Sequence, residues 1–540
     1  MPRCLRGCHA YRPRTTLLTI TNPTLPPSAD ADHALLERLR DATELLESLA
    51  ADPQLLERLP TAERGRLHQA VAQVYDPDSA ARRVKLKAAA KARYASKIHA
   101  DDAVLNQTGI RALRRKPVFT TPTVFAPEDF QAHDVDPEHA PRESIEPQHC
   151  YVCKQKYSTI HFFYDQLCPS CAAFNYAKRT ELADLRGRVA LLTGGRVKIG
   201  YQAGLKLLRA GAELIVTTRF PRDSATRYAG EPDFGDWGHR LQVYGLDLRH
   251  TPSVEAFCHE LLATRSRLDF IINNACQTVR RPPDFYAHMM AGETAALHDM
   301  PENTRKLIGR YEGLRAAHIL PEGDTSAIAP AGQGSHLAGL TRAAELSQLP
   351  LLSEDLLAQQ QLFPAGRLDQ DLQQVDLRAR NSWRLLMAEV PSVELLEVQL
   401  VNAIAPFIIN ARLKPLMLRT PERDKHIVNV SAMEGQFYRS FKTTRHPHTN
   451  MAKAALNMMT RTAATDYHND GIHMNSVDTG WVTDEDPAEL AAKKVREERF
   501  HPPLDIIDGA ARIVDPIISG LRSGEHVWGQ FLKDYRPTDW

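Results

Sequence analysis

The apolar positions follow two periods, and the change between them marks the architecture. Leu35, Leu36, Leu39, Leu45, Leu46 and Leu49 recur at helical spacing, so 31–75 reads as amphipathic helix broken at Pro60. The second helix carries Leu67, Val71 and Val74, and a basic, alanine-rich helix follows over 82–97. From about Arg188 the pattern becomes short apolar runs separated by helical spacing. Val189–Leu192 reads as a buried strand, followed by the small turn Thr193-Gly194-Gly195. Ile199, Ala203, Leu207 and Leu208 mark a helix ending at Gly211, and Glu213–Val216 is the next strand. Strand, glycine turn, helix, strand is a βαβ unit, which holds a dinucleotide by close backbone approach and a helix N-terminus. The fold class is therefore α/β, a Rossmann-type doubly wound parallel sheet preceded by a helical region.

The pattern divides the chain into a tail (1–30), a helical region (31–115), a proline-dense linker (116–147), a cysteine-bearing segment (148–180) and a dinucleotide domain (184–540). The stretch at about 285–392 reads, by resemblance to a known family, as an insertion in that domain. It contains a Gly/Ala/Ser-rich patch over 327–339 and predicted helices at 353–362 and 369–387. The acid-free, arginine-bearing first 20 residues read as a basic tail, with a transit peptide as the alternative.

Composition changes this picture little. The chain has 540 residues, 43% hydrophobic and 25% charged, with a formal net charge of +1. That balance supplies no global argument for nucleic acid or a membrane surface. No apolar run near 18 residues is evident, so no membrane span is expected. Of the eight cysteines, Cys150 and Cys153 form one CxxC pair and Cys168 and Cys171 a second. Two such knuckles around a predicted hairpin at 157–164 have zinc-ribbon spacing, and four thiolates close a tetrahedral, structural Zn²⁺ site. Free buried thiols or a redox pair are the alternatives. His149 and His161 are read as bystanders, and the thiols suit a reducing compartment, the cytoplasm.

From the glycine turn onward the chain resembles the short-chain dehydrogenase/reductase family. The family's TGxxxGxG turn is matched by Thr193, Gly194 and Gly200, with Lys198 at the middle glycine. Its NNAG signature appears as Asn273-Asn274-Ala275-Cys276, and its acidic residue after the third strand as Asp247. HIVNVSA places Ser431 at the catalytic serine, and Lys453 fits the catalytic lysine. Asn402 matches the asparagine that anchors a proton-relay water, and IHMNSVDTGWVT resembles the sixth strand and its PG turn. The resemblance implies cofactor contacts by Thr193, Gly194, Gly195, Arg196, Lys198, Ile199, Gly200, Arg219, Asp247, Leu248, Asn274, Ala275, Lys453, Gly480 and Thr483. The second strand ends in Thr217-Thr218-Arg219, with Arg222 nearby. Guanidinium groups there suit a 2′-phosphate, favouring NADP(H) over NAD.

The catalytic tyrosine is replaced by Thr449, a far weaker acid than a phenol. His446, His448 and Tyr438 are the alternative proton donors. His446 sits seven residues before Lys453, where the related enoyl reductases carry their tyrosine. Two functions follow. One is an NADP(H)-dependent oxidoreductase acting on a carbonyl, alcohol or enoyl substrate through Ser431, Lys453, Asn402 and a substitute acid. The other is a catalytically lapsed nucleotide-sensing or scaffold protein working through its cysteine segment, insertion and N-terminal helices. Zinc-ribbon nucleic-acid binding has only the basic helix for support. The family implies a homo-oligomer, and the insertion or N-terminal region offers a surface for a protein partner.

Overall fold

A computed structural model describes residues 29–75, 79–116, 142–318, 342–357, 359–438 and 442–540. The expected tail, most of the expected linker and the Gly/Ala/Ser patch lie outside these residues. The chain divides into two units, Met1–Ala95 and Ser96–Trp540. In the first, the leucine periodicity gives helices Ala29–Ala51 and Thr61–Tyr75, joined by a 3₁₀ turn, Pro53–Arg58. Asp52 caps that turn by accepting from the Gln54 amide at 3.1 Å, and Pro53 begins it. The basic segment lies within one helix, Ser79–Leu105.

The second unit is built on an eight-stranded sheet. Its strands are β3 (Val189–Thr193), β4 (Glu213–Thr218), β5 (Leu241–Gly245), β6 (Phe270–Asn273), β7 (Lys425–Ser431), β8 (Ile472–Asp478), β9 (Phe531–Lys533) and β10 (Arg536–Thr538). They lie in the order β10-β9-β8-β7-β6-β3-β4-β5, parallel except for the β9–β10 pair. Sheets covered on both faces need apolar residues at every strand position, which is why these runs lack alternation. The helices Lys198–Arg209 and Ile506–Ser523 bury one face. Helices Thr251–Thr264, Ala405–Met417 and Pro447–Asn469 bury the other. Strand order reverses between β3 and β6, and an open α/β sheet places its ligand crevice at that switch point.

Four expectations are corrected. The end of the expected linker is a strand, β1 (Arg142–His149), paired with β2 (Lys156–Ile160). The hairpin therefore encloses the first cysteine pair instead of following it at 157–164. Residues 369–387 form no α-helix; Asp369, Gln374 and Asp376 side chains bind local backbone and favour turns over a helical ladder. At 353–362 only a 3₁₀ turn, Ser353–Leu356, forms. The C-terminal strand that the sequence suggests over His526–Phe531 forms instead at Phe531–Lys533. In addition, the continuous helical stretch Ser392–Met417 is long and apolar enough to cross a membrane by length and composition. Its apolarity has a local use, because Val398, Ile409, Leu413 and Leu416 are buried in the unit's interior.

The cysteine-bearing hairpin is fastened to the sheet by buried charge. Arg179, on the helix Pro169–Thr180, holds both Asp505 carboxylate oxygens at 2.7 and 2.9 Å and Asp508 at 3.0 Å. Asp505 also caps the Ile506–Ser523 helix, accepting from Ile507 and Asp508 amides. Burial opposes ionisation of Asp505, but Arg179 outweighs it and holds the carboxyl below its ordinary range. Arg179→Ala leaves two carboxylates buried beside each other, so it is expected to cost about 3–5 kcal/mol. Denaturant unfolding of the purified variant measures this; a loss below about 1 kcal/mol contradicts it.

Candidate functional site

A cleft of about 1060 Å³ opens at the carboxyl ends of β3, β4, β6, β7 and β8. Its floor is the glycine turn. Gly194 adopts φ +69° and donates to the Thr217 carbonyl at 2.8 Å. Asn274 donates from Nδ2 to the carbonyls of both Thr193 and Gly194 at 3.1 Å, and the Ala275 amide donates to Thr193 Oγ1 at 3.0 Å. A Cβ on Gly200 would stand 2.2 Å from the Gly194 oxygen and 2.4 Å from Asn274 Nδ2, so the position admits no side chain. Gly195 is tied in by Tyr228, whose hydroxyl donates to its carbonyl at 2.9 Å. Ile199 packs against Gly509 and also lines the cleft.

Lys198 occupies the left-handed region, φ +54°, as the first residue of the helix Lys198–Arg209. The backbone here takes the conformation glycine favours, and a lysine accepts it at a cost of about 1–2 kcal/mol. Its side chain lines the cleft. Burial pulls its pKa down, but Glu485, Asp371 and Asp369 outweigh burial and raise it, so the ammonium stays charged.

At the end of β4, Arg219 lines the cleft and donates to the Tyr286 hydroxyl at 2.6 Å, its guanidinium 4.6 Å from that ring's centre. Burial favours the neutral phenol, yet Arg219 and Arg281 outweigh it and lower the Tyr286 pKa. Arg196 lines the same wall but is committed to Asp223 at 2.7 Å. Arg222 takes no part: it turns away to Glu312 at 3.2 Å and to the Ala295 carbonyl. Asp247 and Leu248 are at the cleft edge, where Asp247 accepts from Arg249 Nη2 at 2.7 Å. Arg249 continues to Glu397 at 2.7 Å.

Ser431 ends β7 with its Oγ buried and without a hydrogen bond among the described residues. Lys453, from the helix Pro447–Asn469, donates to the Val430 carbonyl at 2.8 Å. Asn450 and Lys453 on this helix, and His446 just before it, line the cleft. Thr449 points elsewhere, 1% exposed, with its hydroxyl unpartnered among the described residues. His448 also lies off the cleft, 3.3 Å from Glu394. His446, at φ +41°, stacks flat on Trp383 at 3.9 Å. Burial and then neighbouring His448 push its pKa down to about 4, leaving a neutral ring at neutral pH. Tyr438 is 88% exposed and not among the cleft residues. Asn402 sits in a one-turn π-helix, Leu400–Ile404, and clasps the Gln277 backbone at 2.9 and 3.0 Å. Gly480, φ +76°, donates to Asp478 at 3.2 Å, and Thr483 donates to Glu485 at 2.8 Å.

Two parts of the cleft are lined by residues that the sequence did not single out. Asp369, Gln373, Gln374, Val375, Asp376 and Trp383 bring the insertion over it. Arg280–Asp355 and Arg384–Asp486 ion pairs fasten this covering, both at 2.5 Å. Arg280, Asp355, Arg384 and Asp486 carry no spacing signal, because each pair joins distant chain positions. The second part is Tyr151, from the cysteine hairpin. The four sulfurs of Cys150, Cys153, Cys168 and Cys171 lie within 4.8 Å of one another. Cys153 and Cys168 are 3.7 Å apart, close to the roughly 3.8 Å edge of a tetrahedral zinc–thiolate site. Lys154, φ +63°, closes the first knuckle.

Comparison with known proteins places this geometry. Residues 380–502 match the family profile described as "Enoyl-(Acyl carrier protein) reductase". Dehydrogenase/reductase SDR family member 13 of Bos taurus is 35% identical over 106 residues, 19% of this chain and 28% of that protein. Retinol dehydrogenase 14 of Mus musculus is 38% identical over 103 residues, 17% of this chain and 30% of that one. Over these segments the chain is similar to members of the short-chain dehydrogenase/reductase family. It spans less than a third of the length of these two family members. A longer match is "Uncharacterized protein R665" of Acanthamoeba polyphaga mimivirus, 30% identical over 403 residues, 73% of this chain and 75% of that protein. Among solved structures of the family, "Pseudomonas aeruginosa RhlG/NADP active-site complex" is 17% identical with a TM-score of 0.38, covering 65% of this chain and 95% of that one.

Because position 198 is left-handed, its substitutions separate by backbone alone. Lys198→Gly should be more stable than Lys198→Ala by about 1 kcal/mol, measured by thermal unfolding. Equal stability would mean the turn does not hold this conformation.

Proposed function

We propose that the protein is an NADP(H)-dependent oxidoreductase acting on a carbonyl, alcohol or enoyl substrate. The observation that carries this reading is the convergence in one cleft of the glycine turn, Arg219, Lys453 and the unpartnered Ser431 hydroxyl. A bound nicotinamide dinucleotide supplies or accepts the hydride. The turn's backbone and the Lys198 ammonium receive its pyrophosphate. Arg219, with Tyr286 behind it, takes the 2′-phosphate through charge-assisted bonds. Lys453 holds the nicotinamide ribose, and Ser431 Oγ donates to the substrate oxygen. Asn402 orders the backbone at Gln277 on the opposite wall.

The proton is assigned to His446, since Thr449, His448 and Tyr438 lie off the cleft. A neutral imidazole accepts the proton of an alcohol, so alcohol oxidation is the direction favoured near neutral pH. The ring is available above about pH 4 and is lost as pH falls through that value. The four thiolates fit a structural Zn²⁺, whose role is to fold the hairpin, and free thiols fit a reducing compartment such as the cytoplasm. A second reading, a catalytically lapsed nucleotide-sensing or scaffold protein, is favoured by the burial of Thr449 away from the cleft. Turnover separates the two.

Self-association is supported by a stripe on one long helical stretch, where Leu396, Ile404 and Phe407 are 61%, 43% and 60% exposed. Met451 and Met458 are exposed on the helix beside it. Phe407→Asp should shift a dimer to monomer in size-exclusion chromatography with light scattering; an unchanged mass contradicts that interface.

Turnover is tested by following nicotinamide absorbance with a panel of alcohols and carbonyl compounds. Arg219→Ala should lower the preference for NADPH over NADH by at least about tenfold, with little change for NADH. His446→Gln should lower kcat about 100-fold and remove the acid limb of its pH profile. A His446→Gln enzyme with wild-type kcat contradicts the proton assignment, and a wild-type protein without turnover favours the scaffold.

A further inference from the structure

Tyr151 stands between two cysteines of the hairpin, yet it lines the dinucleotide cleft. Its hydroxyl accepts from the Trp481 amide at 3.0 Å. That amide belongs to the turn after β8, which also contains Gly480 and leads to Thr483. Two ammonium groups lie over the ring, Lys154 at 4.8 Å and Lys533 at 5.4 Å from its centre. Lys533 is anchored to Asp478 at 3.1 Å, and Asp478 accepts from the Gly480 amide and from the Met433 amide just beyond Ser431. Tyr151 therefore touches the same small network that joins the ends of β7 and β8.

The hairpin's interior reaches this turn as well. Its buried cluster, which includes Cys150, Cys168, Tyr157 and Tyr164, continues into Val482, Leu504, Ile506 and Ile507. The Leu504 amide donates to the Trp481 carbonyl at 3.3 Å, and a Cβ on Gly480 would stand 2.5 Å from Leu504. Trp481 itself is half exposed and makes no turn of secondary structure with its neighbours. The turn thus takes its hydrogen bonds from the Asp478 carboxylate, from Leu504 and from Tyr151 of the hairpin.

We infer that Tyr151 is a positioning residue of the cleft, through which a metal held by Cys150, Cys153, Cys168 and Cys171 sets the geometry of the turn Asp478–Thr483. This rests on the dinucleotide reading for its effect on affinity, but not for its effect on the turn. With the thiolates gathered, the Tyr151 backbone is fixed on both sides and its hydroxyl is delivered to Trp481. With them apart, the acceptor is withdrawn and the turn loses an anchor. The cysteine site, though closed to substrate, then controls how well the cleft receives the nicotinamide end of a dinucleotide.

The full chain carrying Tyr151→Phe tests this, because it keeps the ring and all four thiols while removing the acceptor. Zinc content is measured by elemental analysis, amide exchange of the 479–483 segment by mass spectrometry, and NADPH affinity by fluorescence titration. Tyr151→Phe should retain one zinc per chain, exchange the Trp481 amide at least about tenfold faster and bind NADPH about tenfold more weakly. Chelation of the wild type should speed exchange in the same segment, and added Zn²⁺ should reverse it. Wild-type exchange and wild-type affinity in Tyr151→Phe would overturn the inference. A wild-type protein that binds neither NADPH nor NADH overturns the dinucleotide reading instead, and the exchange of Trp481 in the variant still decides the role of Tyr151.

Discussion

The cleft depends on one carboxamide. Asn274, at the carboxyl end of β6, donates to two carbonyls of the turn that follows β3. It crosses the switch point of the sheet and keeps Gly194 in its left-handed conformation, with the helix Lys198–Arg209 aimed at the crevice. Two carbonyls buried without a donor would cost about 1–3 kcal/mol each and leave the turn free to relax inward. Gly200 is fixed by the same contact, since a Cβ there would displace Asn274 Nδ2. The remaining cleft residues are arranged around this clasp.

The fold was legible because parallel strands buried on both faces advertise themselves as apolar runs. β3 and β4 begin and end within a residue or two of the apolar runs that announce them. The glycine turn, Asn274, Ser431 and Lys453 were readable because each stands at a strand end or on a helix where the family that the chain resembles carries its motif. Proton transfer was less legible. The resemblance put Thr449 at the tyrosine position, with His446 and His448 as alternatives, whereas in the structure His446 and Asn450 line the cleft and Thr449 does not. Arg222 was misread because proximity in sequence to Arg219 says nothing about Glu312, its partner 90 residues on.

The insertion and the cysteine hairpin were least legible. The segment around 369–387 carries apolar residues at nearly helical spacing, but its Asp and Gln side chains bind nearby backbone and keep it irregular. Its use is to cover the cleft, through ion pairs whose partners are far apart in sequence. The CxxC spacing revealed the thiolate site without revealing its neighbour. A tyrosine between two cysteines has no pattern to mark it, and only the docking of the hairpin through Arg179 onto Asp505 and Asp508 brings it to Trp481. The cleft thus has two further walls, one from residues 369–383 and one from the cysteine hairpin.

The central claim is that the cleft holds a 2′-phosphorylated nicotinamide dinucleotide on the turn clasped by Asn274. Calorimetric titration of the zinc-loaded wild-type protein with NADPH and, separately, NADH tests it most directly. The account predicts one NADPH per chain, bound at least about tenfold more tightly than NADH. Binding of neither nucleotide, or tighter binding of NADH, would contradict it.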